Sequence, residues 1–262
     1  MSYIPSSKMA TYQNKLIISG KKVELYQYET PIHVGQKKKK KKAAKRRTKE
    51  EIMKQIKECA NKAFQVEVMR DFSLRRTRSR IVRLINANPD LKVFITLTFD
   101  SDVPSLVEAN PIFKKFIKRL KRKRPNLKYI AIPEFQSDND YYGRPKPNGG
   151  AVHYHLLVNF EMASDELKTI WQNGFVKINR IKHVNHLGLY VSKYVGKNLF
   201  DIRYFGMRKI LASKNLEQPI IITVFKEVKE FITNAIGNIP PLFEKSYRSD
   251  WLGKIQYRLY GF

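Results

Sequence analysis

Thiol chemistry is nearly absent from this chain. A single cysteine, Cys59, in 262 residues excludes an intrachain disulfide framework and any zinc site built on several thiolates. Histidine is scarce too, with five residues, so few positions can supply a metal-binding or catalytic imidazole. No apolar run approaches the roughly 18 residues needed to span a bilayer, and no segment near Met1 has the form of a signal peptide. The expectation is a soluble, cytoplasmic protein of a bacterial host with no membrane partner. Acidic residues are also few: 23 Asp and Glu face 51 Lys and Arg, a formal charge of +28 that exceeds what solubility requires. Such an excess points to a polyanionic partner. Nucleic acid is the first candidate, because each phosphate neutralised by Lys or Arg releases condensed counterions. Aromatic residues make up 12% of the chain, more than a disordered basic tail uses, so most of the chain is expected to fold.

Residues 12–28 alternate apolar and polar side chains around Ser19-Gly20-Lys21-Lys22, the pattern of a short hairpin with a glycine at its turn. Lys37 to Lys42 and Lys45-Arg46-Arg47 follow. This block of like charge repels itself and suits a solvated hinge or DNA-binding arm, or a nuclear localisation signal in a eukaryotic host. From Thr48, an N-cap with Glu51 three residues on, neither Pro nor Gly interrupts the chain to Asn86. A long basic helix is expected there, ended by Pro89-Asp90. Residues 91–99 form a β-branched and aromatic run suited to a buried strand. A helix over 111–124, a strand over 127–136, a loop over 137–150 and a strand over 151–160 come next. Ser164 is expected to cap a helix to Trp171, followed by a strand over 174–181 and a helix over 185–198. The order is that of an α+β domain with one main antiparallel sheet. The expected organisation is a hairpin and basic arm (1–48), a long basic helix (49–88), a catalytic core (89–200) and a C-terminal α/β extension (201–262).

In Val152-His153-Tyr154-His155 the two-residue period of a strand puts both imidazoles on one face, a spacing at which they can share a metal ion. On the neighbouring strand Glu134 and Gln136 share a face, so either completes a triad, with Glu134 preferred. Two histidines and a carboxylate with open positions suit Mg²⁺ or Mn²⁺ and the polarisation of a phosphate oxygen. An H-x-H pair taken alone is also within the reach of chance. His33, His183 and His186 have no such neighbours and read as surface residues.

The context is Tyr190-Val191-Ser192-Lys193-Tyr194-Val195-Gly196-Lys197. On a helix, Tyr190, Lys193, Tyr194 and Lys197 form one stripe. A phenol, with a pKa of about 10, is a poor nucleophile unless nearby positive charge favours its phenolate. Lys193 and Lys197 can supply that charge or clamp a phosphate. The alternative is that both tyrosines pack on the sheet while the lysines face solvent. Gly196-Lys197 does not end a nucleotide-binding P-loop, because Val191 stands where a glycine is needed and Asn198 replaces the Ser or Thr.

Three elements in order, the strand Phe94 to Phe99, His153-Tyr154-His155 and Tyr190-x-x-Lys193-Tyr194-x-x-Lys197, resemble the HUH replication initiators of rolling-circle plasmids and single-stranded DNA phages. The replication-associated proteins of filamentous phages and related plasmids are the nearest pattern. Arg203-Tyr204-Phe205-Gly206-Met207-Arg208 also looks like the segment that follows the tyrosine helix in that family. The resemblance implies a central five-stranded antiparallel sheet, ferredoxin-like or RNA-recognition-like, with flanking helices. It implies a divalent ion on His153, His155 and Glu134, Tyr194 as the main nucleophile and Tyr190 as a second. It further implies nicking of single-stranded DNA at a replication origin, with a separate helicase and polymerase. The long 137–150 loop departs from the tighter hairpins of the family. Its Tyr141 and Tyr142 either stack on unpaired bases or anchor the loop. A transposase or mobilisation relaxase would use the same chemistry, and a non-catalytic nucleic-acid-binding protein would use only the charge.

Overall fold

The structure, a computed structural model, describes residues 10–34, 63–146, 150–180, 187, 188, 190, 191, 202–204 and 207–262. In chain order the strands and helices are β1 (Ala10–Ser19), β2 (Lys22–Val34), α1 (Ala63–Ala87), β3 (Val93–Phe99), α2 (Leu106–Lys123), β4 (Tyr129–Phe135) and β5 (Val152–Val158). They continue with α3 (Ser164–Trp171), β6 (Gly174–Arg180), β7 (Leu211–Ala212), β8 (Ile220–Ile222), α4 (Phe225–Phe231), β9 (Phe243–Ser249) and β10 (Gly253–Gly261). The fold is α+β, with two antiparallel five-stranded sheets, neither closed into a barrel. The chain divides into two compact units, Met1–Glu67 with Gln218–Phe262, and Val68–Glu217. No helix among the described residues is long and apolar enough to cross a membrane.

The unit Val68–Glu217 has strand order β6-β3-β5-β4-β7. Both β3-α2-β4 and β5-α3-β6 leave room for one antiparallel strand between the strands they join, which is the split βαβ pattern of ferredoxin-like sheets. Alternation along the strands gives the sheet two apolar faces. One face carries Ile95, Leu97, Tyr154 and Leu156 beneath Phe113 and Phe116 of α2 and Trp171 of α3. The other carries Phe94, Ile130, Ile132 and Leu157 beneath Leu74, Ile81, Leu84 and Ile85 of α1. Pro133 stands in β4 because β7 pairs only with Ile130 and Ala131. The Gln136 N–H bonds to Ala151 O on β5, so two-residue alternation turns Pro133 towards the free edge, where a missing N–H costs no ladder bond.

Two helix starts differ from the sequence reading. The helix expected from Pro111 begins at Leu106, capped by Ser105, whose hydroxyl accepts the Val107 N–H at 3.1 Å. Pro111 thus lies inside the helix, where it removes one backbone bond. Burial of Leu106 and Ala109 in the first turns compensates. Ser164 is not a cap but the first residue of α3; Ala163 takes the cap position with no side-chain bond, and Asp165 and Glu166 in the first turn complement the helix dipole instead. Thr48 and the start of the long helix lie outside the described residues, as does the Lys37 to Arg47 block.

The other unit was not legible as a unit. β1 and β2 form the expected hairpin, with Ser19 opposite Lys22 and Gly20 in the turn at φ 56°, a conformation that favours glycine. An isolated hairpin is marginal in water, and here β10 pairs with β2 and β8 with β1 in the order β8-β1-β2-β10-β9. Leu16, Val23, Leu25 and Tyr260 then pack on Val228 of α4 and on Ile236 in the turn that follows it. The two ends of the chain therefore complete one sheet.

Asn88, buried just beyond α1, donates to Leu84 O at 2.8 Å and Glu217 O at 2.9 Å and accepts the Glu217 N–H at 2.9 Å. Asn88→Ala strands these backbone groups, and urea unfolding should show a loss of about 3 kcal/mol.

Candidate active site

Strand register fixes which groups meet. β5 lies between β3 and β4, with His153 opposite Thr98 and Glu134, and His155 opposite Thr96 and Ile132. Two residues further on, Leu157 stands opposite Phe94 and Ile130. One face of the sheet thus passes from the apolar row under α1 to a polar row at the end where the 137–150 loop joins β4 to β5. The sequence supplied the period; the register brought Glu134 and both histidines together.

His155 is almost fully buried and its ring is held on three sides. Its Nε2 bonds to Glu134 Oε2, its Nδ1 lies 3.2 Å from Thr96 Oγ1, and its face stacks on Phe94 at 5.6 Å between ring centres. With the proton on Nε2, His155 donates to the carboxylate and Thr96 donates to Nδ1, a tautomer assigned from the network. His153 differs. Its Nε2 is buried without a hydrogen-bond partner among the described residues, a costly state unless something binds there. Burial is the main cause that holds this imidazole below its ordinary pKa; His155 and Lys146 add to the effect and Glu134 opposes it. The neutral ring keeps a nitrogen available. Among the described residues no group of three His, Cys, Asp or Glu side chains stands ready to hold a metal ion, since the Glu134 carboxylate is engaged with His155.

Tyr154, the middle residue of the motif, points to the opposite face. It is stacked on Phe113 at 4.3 Å, its hydroxyl donates to Asn110 Oδ1 at 2.9 Å, and burial raises its pKa. It belongs to the core and is no nucleophile. Gln136, the second choice of ligand, lies beyond the end of β4 opposite Ala151, two residues from the row that holds Glu134.

Tyr190 is half-buried on the histidine face. Its ring meets Phe94 edge-on at 5.9 Å, so Phe94 lies between Tyr190 and His155. A Cβ on Gly188 would meet the Cα of Val82 at 3.0 Å; glycine there allows the Tyr190 segment to approach α1 closely. Lys193, Tyr194 and Lys197 lie outside the described residues, as do His183 and His186.

Three further groups shape the site without having been singled out. Thr96 shares a strand face with Thr98 by the same two-residue period, and this spacing is the signal that could have found it. Asp138 accepts the Gly150 N–H at 2.7 Å and an Arg203 N–H at 3.0 Å, while the Arg203 guanidinium lies 4.0 Å from the Phe135 ring centre. Tyr204 donates to Pro133 O at 2.7 Å. Arg203 and Tyr204 thus brace the end of β4 that bears Glu134.

Fold and site together define a ferredoxin-like α+β domain with a His, His, Glu row at the loop end of its sheet. A family model described as replication-associated protein ORF2 matches residues 92–199, less than half of the chain but all of this row and the tyrosine stripe. This similarity points to DNA replication. No curated protein and no solved structure matches the chain.

Phe94 supports His155 and Tyr190 at once. Phe94→Ala should cost about 4 kcal/mol in urea unfolding and broaden the His155 and Tyr190 ring resonances. Phe94→Leu should lose less than about 1.5 kcal/mol.

Proposed function

We propose that this chain is a replication initiator that nicks single-stranded DNA by tyrosine transesterification. The observation that carries this reading is the His153, His155, Glu134 row, with a buried, unpartnered imidazole nitrogen, on the same sheet face as Tyr190. The donor set fits Mg²⁺ or Mn²⁺. Held by His153, His155 and Glu134, such an ion would supply Lewis-acid polarisation of a non-bridging phosphate oxygen.

The residues have definite tasks in this reading. Glu134 releases its bond to His155, and His155 carries its proton on Nδ1, where Thr96 Oγ1 is 3.2 Å away as acceptor. Such a partner fixes ring orientation and tautomer. His153 is already neutral and has no proton to lose. The Tyr194 phenol oxygen attacks phosphorus as its proton passes to solvent, helped by the charges of Lys193 and Lys197. The bond from phosphorus to the 3′ oxygen breaks, and that oxygen takes up a proton. The products are a 5′-phosphotyrosyl enzyme and a 3′-OH that primes a separate polymerase. The phosphodiester energy is retained in the tyrosyl ester, so Tyr190 can serve as a second nucleophile for rejoining or a second cut. Strand opening falls to a separate helicase, and the basic surface holds DNA through its phosphates, which positions the strand without reading its sequence.

Purified protein incubated with pools of single-stranded DNA and Mn²⁺ should form a covalent adduct that survives denaturation. The Tyr190→Phe, Tyr194→Phe double variant should form none. His153→Ala with His155→Ala should slow formation by roughly 100-fold or more. An adduct absent with every divalent ion, or undiminished in the double tyrosine variant, refutes the mechanism.

A further inference from the structure

The 137–146 segment, expected as an irregular loop, is an ordered turn. Asn139 and Pro145 form an isolated β-bridge, Asp140 N–H bonds to Arg144 O at 2.8 Å, and Lys146 N–H bonds to Asp138 O at 2.7 Å. Inside it, Asp140 Oδ1 accepts the N–H groups of Tyr142 and Arg144, both at 2.9 Å, and Oδ2 pairs with the Arg144 guanidinium at 2.8 Å. These bonds hold the Asp140 carboxyl below its ordinary pKa. At the base of the turn Asp138 is held by Gly150 and Arg203.

This rigid turn presents two aromatic rings to solvent. Tyr141 is 95% exposed and Tyr142 78%. The rings lie 5.4 Å apart at 86°, and the Arg144 guanidinium covers Tyr142 at 5.0 Å. A loop anchor would bury its rings against the sheet; these stand away from it, with Tyr142 fixed and the face of Tyr141 uncovered. The turn is also tied to the histidine row, because β4 and β5, which it joins, carry Glu134 and His153, and Lys146 lies within electrostatic reach of His153.

We infer that this turn is a base-stacking lip: Tyr141, set square by Tyr142, stacks on an unpaired base of the DNA strand beside the scissile phosphate, and Lys146 meets that strand's backbone. The position beside a scissile phosphate rests on the nicking function proposed above; the stacking itself does not. Stacking needs a free base face, which single-stranded DNA offers and a duplex does not. The affinity it adds depends little on sequence, since every base has a π-face.

Binding is read by fluorescence anisotropy on the full chain in EDTA, so that no cleavage intervenes, with labelled oligo-dT and a duplex of equal length as probes. Tyr141→Ala should weaken oligo-dT binding about tenfold, Tyr141→Trp should restore it to within about twofold, and duplex binding should not change. Unchanged oligo-dT binding in Tyr141→Ala, an equal loss on duplex, or no recovery with Trp overturns the lip. The two readings fail separately. Adduct formation by wild-type protein with unaltered Tyr141→Ala affinity sinks the lip alone, whereas Tyr141-dependent binding with no adduct under any divalent ion sinks the nicking mechanism alone.

Discussion

The register of β5 is the constraint on which the rest of the site depends. Side chains alternate along a strand, so a slip of one residue would turn His153 and His155 into the apolar layer under α2 and α3 and expose Tyr154. Tyr154 prevents that slip. Its ring fills the space against Phe113 and its hydroxyl finds Asn110, so the histidines are held outward by what the residue between them buries. Pairing on both sides then supplies Thr96 from β3 and Glu134 from β4.

The histidine face is graded. Under α1 it is dry and apolar, through Phe94, Ile130 and Leu157; towards the loop end it holds threonine, histidine and glutamate. Phe94 stands at the boundary, stacked on His155 and touched by Tyr190. Charge is arranged around this gradient without entering it. Arg75, Arg76, Arg78 and Arg80 on α1 and Lys114, Lys115, Lys118 and Lys121 on α2 are exposed, while the apolar stripes of both helices are buried. Such a surface attracts a polyanion over distances comparable to the Debye length, about 8 Å in physiological salt, and leaves orientation to the short-range groups.

The other unit follows from a different necessity. A two-stranded hairpin buries too little to persist, and β1 and β2 obtain their partners from the last 45 residues of the chain. The tyrosines of β2 gain a cross-strand neighbour in the same way, as Tyr26 meets Tyr257 at 4.9 Å.

Composition and local pattern determined a good deal alone. Charge excess named the class of partner, single-strand alternation put His153 and His155 on one face, and the sequence of periodic segments gave the α+β class with a five-stranded antiparallel sheet. These properties reside in a few consecutive residues, where backbone geometry dictates direction. Helix starts at Leu106 and Ala163 were misjudged because burial of Leu106 and Ala109 outweighed the local signal of Pro111, and first-turn acids substituted for a serine cap. The pairing of Glu134 with His155, the unpartnered nitrogen of His153, the Phe94 bridge to Tyr190 and the union of both chain ends in one sheet were decided by tertiary structure alone. Each joins residues far apart in the chain, and contact between them depends on strand order, register and packing, which no local period encodes.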